Sequence, residues 1–247
     1  MVAVTFRFYE ELNDFLPPDR RGCEFTCACA RAATTKHMIE SLGVPHTEVE
    51  LLLVNGESVG FDRLLGDGDR VAVYPKFEAL DIVPLLRVRE RPLRVTRFIA
   101  DAHLGGLARL LRMSGFDTLH DNHYVDDEIE RVGSAEGRIV LTRDRDLLKR
   151  RGITHGCYVH AVRPTQQLRE IVDRLDLARS SRPFTLCLHC NAPLRSIDKA
   201  QVAALLPPTI LAHHDRFSTC DACNRIFWEG SHWLRMHSML DGLLVQS

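Results

Sequence analysis

The chain has 247 residues, 45% of them apolar and 26% charged, which is ordinary globular usage and leaves room for one large domain or two to three small ones. No run approaches the roughly eighteen apolar residues of a transmembrane helix, and the start MVAVTFRFYEELNDF lacks the basic-then-apolar pattern of a leader, so a spanning protein is excluded and the cytoplasm is the expected location. The net charge of −1 conceals a gradient, with −5 over residues 1–80, +3 over 81–180 and +1 over 181–247; an acidic head on a basic body suits a nucleic-acid partner for the body, because phosphates are met mainly by Arg and Lys.

In chain order, VAVTFRFYEEL alternates apolar and polar residues as a half-buried strand does. After the turn residues Pro17, Pro18 and Asp19, CEFTCACA predicts a second strand of a hairpin. TTKHMIESLG predicts a helix with Thr34 or Thr35 as N-cap and Gly43 as its stop. VELLLVNGESV places a strand before the tight-turn pair Asn55-Gly56, and GDGDRVAVYP gives a last strand ended by Pro75. The order strand, strand, helix, strand, strand is that of a β-grasp. LLLVNGE…LLGDGDRVAVYP resembles the ubiquitin-like sulfur carriers of thiamine and molybdopterin synthesis, which end in Gly-Gly; this chain instead continues through YPKFEALDIVP. A docking or scaffolding role with a protein partner is therefore expected ahead of sulfur transfer.

Residues 79–94, with two prolines and several arginines, read as a linker between a ubiquitin-like domain (1–78) and the remainder of the chain. TRFIAD predicts a buried strand ending at Asp101, and GGLARLLRMSG an amphipathic helix with Leu107, Leu110 and Leu111 on one face. DDEIERVGSAEG predicts a helix, RIVLTRD a second buried strand, GCYVHAV a short one, and PTQQLREIVDRLDLA a helix with Leu168, Ile171, Val172 and Leu175 inward. Strands alternating with helices imply an α/β core with a parallel sheet, over residues 95–182, and a zinc module over 183–247.

Ligands of an open parallel sheet gather beyond the C-terminal ends of its strands. Asp101 and Asp144 stand at two such ends, Asp146 lies two residues beyond, and VDDEIE offers Asp126, Asp127 and Glu128 at a helix start. Oxygen donors of this kind suit a hard divalent cation such as magnesium, and two ions about 4 Å apart can activate water and stabilise a leaving oxygen in phosphodiester cleavage. The same residues also have ordinary uses, Asp as a helix N-cap and acids in a first helical turn. Arg109, Arg112 and Arg143 are candidates for phosphate contacts, or for ion pairs with the same acids.

RFIADAHLGGLARLLRMSGFDTL together with GRIVLTRDRDLL resembles the Mut7-C family, a branch of the PIN-like ribonucleases, over roughly residues 95 to 240. The resemblance implies a PIN-like core carrying a C-terminal zinc ribbon, with the ubiquitin-like segment as a domain fused to it in some members. It also implies hydrolysis of RNA with magnesium or manganese at Asp101, Asp144 and Asp146, with Asp127, or else Asp126, as the middle acid. The contrasting reading is a non-catalytic RNA-binding or adaptor protein; retention of the strand-end acids favours the enzyme, since a binder gains nothing from negative charge facing phosphates.

Cys187/Cys190 and Cys220/Cys223 have the C-x-x-C spacing that lets two thiolates reach one tetrahedral zinc. Their separation exceeds the usual ribbon gap, so RSIDKAQVAALLPP is expected as a helical excursion between knuckles. A redox role would leave the second pair unexplained. Four protein ligands leave no open position, which makes this zinc structural. Phe217, Phe227, Trp228 and Trp233 either stack on unpaired bases or pack the module's small core.

Overall fold

The computed structural model describes residues 1–75 and 96–244; the expected linker at 79–94 lies outside the described residues. Of these, 1–75 with Val125–Tyr158 form one compact unit, and Thr96–Tyr124 with 159–244 form another.

The N-terminal part is the expected β-grasp. Strand β1 (Val2–Phe8) pairs antiparallel with β2 (Phe25–Cys29), Val4 opposite Cys27. Helix α1 (Thr35–Ser41) is capped by Thr34, whose hydroxyl accepts the N–H of His37 at 3.2 Å, and the chain leaves it through Gly43 at φ +102°. Strands β3 (Leu51–Val54) and β4 (Glu57–Ser58) flank the Asn55-Gly56 turn, whose residues adopt φ of +53° and +86° as a two-residue hairpin requires. Strand β5 (Arg70–Tyr74) then inserts between β1, to which it is parallel, and β3, giving the order β2-β1-β5-β3-β4. One face of this sheet buries Val4, Phe6, Phe8, Leu52 and Val73 against Ile39 of α1. At about 1.5–3 kcal/mol for each large apolar side chain, this face supplies the main cohesion of the domain.

In the second stretch, β6 (Phe98–Ala100) is buried at every residue and runs parallel to a two-residue strand, β7 (Thr118–Leu119). Helix α2 (Gly105–Met113) lies between them and buries Leu107, Ala108 and Leu111. Strand β7 has no signal in the sequence, because two residues carry no periodicity. Helix α3 (Asp126–Glu136) ends at Gly137, which takes the left-handed φ of +61°. Strand β8 (Ile139–Thr142), buried throughout, is parallel to β9 (Gly156–Tyr158), with the short helix α4 (Arg145–Leu148) between them. Helix α5 (Pro164–Arg174) buries Leu168, Ile171 and Val172 and packs on α2; the fourth inward position is taken by Leu177 rather than Leu175, which caps the helix.

The segment Val125–Tyr158 is joined to the β-grasp within the first unit. His46 places Nδ1 2.7 Å from Glu40 and Nε2 2.9 Å from the Ile153 carbonyl. The Glu48 carboxylate accepts the Tyr158 N–H, and Arg145 lies 5.0 Å over the Phe15 ring.

The C-terminal part is a three-stranded antiparallel sheet of β10 (Leu194–Ile197), β11 (Phe217–Cys220) and β12 (Ile226–Trp228). Helices α6 (Lys199–Val202) and α7 (Pro208–His213) form the expected excursion between β10 and β11, and α8 (Ser231–Leu244) closes the chain against α5. The architecture is α/β, with a β-grasp in front, parallel strand pairs in the core and a four-cysteine ribbon behind. Among the described residues no helix is long and apolar enough to cross a membrane.

Candidate functional site

Each fully buried strand, β6 and β8, delivers an acid just past its C-terminal end. Asp101 follows β6 directly, half-buried, at the N-cap of a single 3-10 turn that its side chain does not cap. Asp144 follows β8 after Arg143 and is exposed. One of its oxygens accepts the N–H of Asp146 at 2.8 Å, which caps α4, and its own N–H donates to Thr142 Oγ1 at 3.0 Å. Capping engages Oδ1 and places the carboxylate at the rim of the strand end. Asp146 is exposed and lies 3.1 Å from Lys149.

Helix α3 begins at Asp126, so Asp126, Asp127 and Glu128 fill its first turn, where acids are favoured by the helix dipole. Asp127 is exposed and accepts Arg150 Nη2 at 2.6 Å, while Glu130 sits 3.1 Å from the same guanidinium and accepts the Gly152 N–H at 2.8 Å. The Arg150 clamp is not evident in the sequence; the acid at the position three beyond Asp127, on the same helix face, was the available signal. Asp101 belongs to the second unit, whereas Asp127, Asp144 and Asp146 belong to the first.

Of the three arginines expected at phosphate, Arg109 and Arg143 are exposed. Arg112 has a different occupation. It is 6% exposed, and its guanidinium donates to the Thr118 carbonyl at 2.8 Å and to the carbonyls of His189 and Leu188 at 2.8 and 3.3 Å. Burial pushes its pKa down, opposed by the neighbouring Cys187 and Cys190. A guanidinium spent on three backbone carbonyls ties the first cysteine knuckle to β7 and is not offered to a ligand. Partial desolvation and the cations Arg225, Arg109 and Arg112 likewise hold the His189 imidazole below its usual pKa.

The four cysteines converge. All four sulfurs lie within 4.8 Å of one another, and among the described residues they are the group of side chains close enough to share an ion. Cys187 and Cys223 are 3.6 Å apart, and Cys190 and Cys220 are 3.3 Å apart. A zinc with arms of about 2.3 Å needs sulfur separations of about 3.8 Å, so the set fits a tetrahedral ion with little adjustment. The two knuckles repeat one backbone design. In each, the residue after the second cysteine is an asparagine in the left-handed region, Asn191 at φ +65° and Asn224 at +55°, whose N–H returns to the carbonyl of the first cysteine. The matching strings CLHCN and CDACN carried that signal. Asn191 does more: its Oδ1 accepts the Thr118 N–H at 3.0 Å and its amide donates to Asp117, a second tie to β7. The neighbouring thiols are pushed apart: although burial opposes it, the Cys190 thiol and the N–H groups of Cys223 and Ala222 lower the Cys220 thiol to about 7, while, against the Ala192 N–H, burial and the other three cysteines raise the Cys190 thiol to about 12.

Residues 96–240 match the Mut7-C RNAse domain, and residues 1–81 match the Mut7-C ubiquitin domain. Two crystal structures of small archaeal modifier protein 1 from Haloferax volcanii are similar at 16% identity and a TM-score of 0.26. One covers 31% of this chain and 100% of its own, the other 32% and 99%. No curated protein matches the chain significantly. Because the RNAse-domain match spans more than half of the 247 residues, membership is direct: the chain belongs to the Mut7-C RNAse family and carries the Mut7-C ubiquitin domain in front.

Proposed function

We propose that the chain is a magnesium- or manganese-dependent ribonuclease whose acids are Asp101, Asp127, Asp144 and Asp146. The observation that carries this reading is the delivery of an acid directly past each buried strand, Asp101 after β6 and Asp144 after β8, inside a domain matched to an RNAse family. The residues suit a hard cation: Asp144 and Asp146 are exposed oxygen donors two positions apart in the chain, and the N-cap bond engages Asp144 Oδ1. Asp101 after β6, and Asp144 with Asp146 after β8, are each proposed as oxygen donors to metal, and the ion would supply an activated water and charge stabilisation at the leaving oxygen. Asp127 now neutralises Arg150, so its part is to release that guanidinium toward the cleaved strand or to join the ion directly. Arg109 and Arg143, exposed, are the candidate phosphate contacts. The cysteine cluster would hold zinc with a closed ligand set and serve folding alone, and paired thiolates of this kind suit a reducing cytosol.

The test is cleavage of a mixed single-stranded RNA by zinc-loaded protein with and without added manganese or magnesium, alongside Asp144→Asn. Metal-dependent cleavage that disappears in the variant supports the reading. RNA that is bound but uncut by the folded protein would replace it with an adaptor role, in which the β-grasp and ribbon modules dock partners.

A further inference from the structure

The second unit contains a cavity of about 760 Å³ that neither the strand-end acids nor the cysteine cluster uses. Its volume falls within the range of small-molecule and nucleotide pockets, about 300–1,000 Å³. Rings dominate its walls: Phe184, Phe227 and Trp228 approach from the segment before β10 and from β12, and Trp233 from α8. Phe184 and Trp233 have centroids 5.1 Å apart, and His237, held by Asp241 at 2.8 Å, stacks on Phe184 at 5.9 Å.

Three features separate this cavity from the ordinary core of a small module. First, these rings are half-buried, whereas Phe217 of β11 is 2% exposed and is the aromatic spent on packing. Second, Phe184 stands at φ +60°, a conformation that a bulky residue adopts only when the surroundings impose it; its N–H is held by the Met113 carbonyl at 2.9 Å. Third, Gly230 leaves room for an indole: a Cβ there would lie 3.0 Å from Trp228 Nε1. One exposed cation stands beside the rings. Arg216 lines the cavity with its side chain 84% exposed, His214 and His232 add imidazoles, and Glu229, 3.8 Å from Arg216, is the one acid in the lining among the described residues.

We propose that this cavity takes an unpaired base of single-stranded RNA, stacked on the Phe184–Trp233 pair and Trp228, with Arg216 on the adjoining phosphate. The identity of the ligand rests on the ribonuclease reading above; the existence of the site rests on the cavity. Base stacking on aromatic platforms is tolerant of sequence, so the site would hold a strand without choosing it.

Both tryptophans of the chain line this cavity, so intrinsic tryptophan fluorescence reports on it alone. The full-length, zinc-loaded protein is titrated without added magnesium or manganese with a mixed single-stranded RNA heptamer, the same sequence as duplex, and adenosine monophosphate. The heptamer should quench the emission saturably. Trp233→Ala and Trp228→Ala, read by anisotropy of labelled RNA, should each weaken binding roughly 5- to 100-fold with zinc content and far-UV circular dichroism unchanged. Arg216→Glu, a change on an exposed side chain, should weaken binding and flatten its salt dependence, and stands in if either tryptophan variant loses its fold. Unchanged affinity in the folded variants, equal quenching by duplex, or a mononucleotide that binds as tightly as the heptamer would each overturn the assignment. Cleavage in the metal-containing assay without quenching in this titration would sink the cavity site and spare the nuclease; quenching here without cleavage there would do the reverse.

Discussion

Replacing Arg112 by Met separates a structural arginine from a substrate-binding one. Met keeps the apolar stem in place and removes the donors that reach the carbonyls of Thr118, His189 and Leu188. The 3.3 Å contact to Leu188 counts for little, which leaves two good bonds from a charged donor at 2.8 Å. Bonds of that kind contribute about 1.5–3 kcal/mol each, so a total of about 3–6 kcal/mol is expected. At roughly 2–4 °C per kcal/mol for a chain of this size, the melting temperature should fall by about 10 °C or more. The knuckle that these carbonyls orient should also surrender its zinc faster to a colorimetric chelator. Arg112→Lys retains the charge but cannot reach both sides of the seam, and should fall between the two. An Arg112→Met variant that melts within about 2 °C of the parent, holds zinc equally well and loses RNA affinity with a shallower salt slope would make Arg112 a phosphate contact and refute the structural role.

At Asp144, two substitutions should part stability from chemistry. Asp144→Asn preserves a capping side chain and should leave melting nearly unchanged while abolishing cleavage, whereas Asp144→Ala should lose cleavage together with about 1 kcal/mol of stability in urea titrations. Cys187→Ser removes one of four converging thiolates; zinc per chain, measured by mass spectrometry of the metal, should fall sharply, and proteases should open the C-terminal module before the N-terminal domain. Gly115→Ala should destabilise by about 2–4 kcal/mol in thermal melts, since the residue sits at φ +89° and its new Cβ would meet the Arg182 carbonyl at 2.1 Å. An Ala variant that melts like the parent would show that the 113–116 and 182–184 backbones can part without loss.

Much of this molecule is written in short-range chemistry. Alternation in VAVTFRF, the Thr34 cap, the Asn55-Gly56 turn and the twin C-x-x-C pairs all act within a few residues, so the sequence displays the β-grasp order, the buried strands β6 and β8 with an acid after each, and the cysteines of the cluster. The three-dimensional structure alone decided what those elements touch. Residues 125–158 join the β-grasp through His46 on Ile153 and Glu48 on Tyr158, pairs separated by 107 and 110 positions. Arg112, by its composition a phosphate binder, is buried beneath a knuckle 76 and 77 residues away. Trp228 and Trp233, equally suited to packing or stacking, end as half-buried walls of a cavity. The reason is physical. A cap, a turn or a period-two strand is fixed by the conformational preferences of adjacent residues, and leaves its mark in the string. A buried guanidinium or a cavity wall is fixed by which distant surfaces meet, and one sequence carries no periodic trace of that meeting.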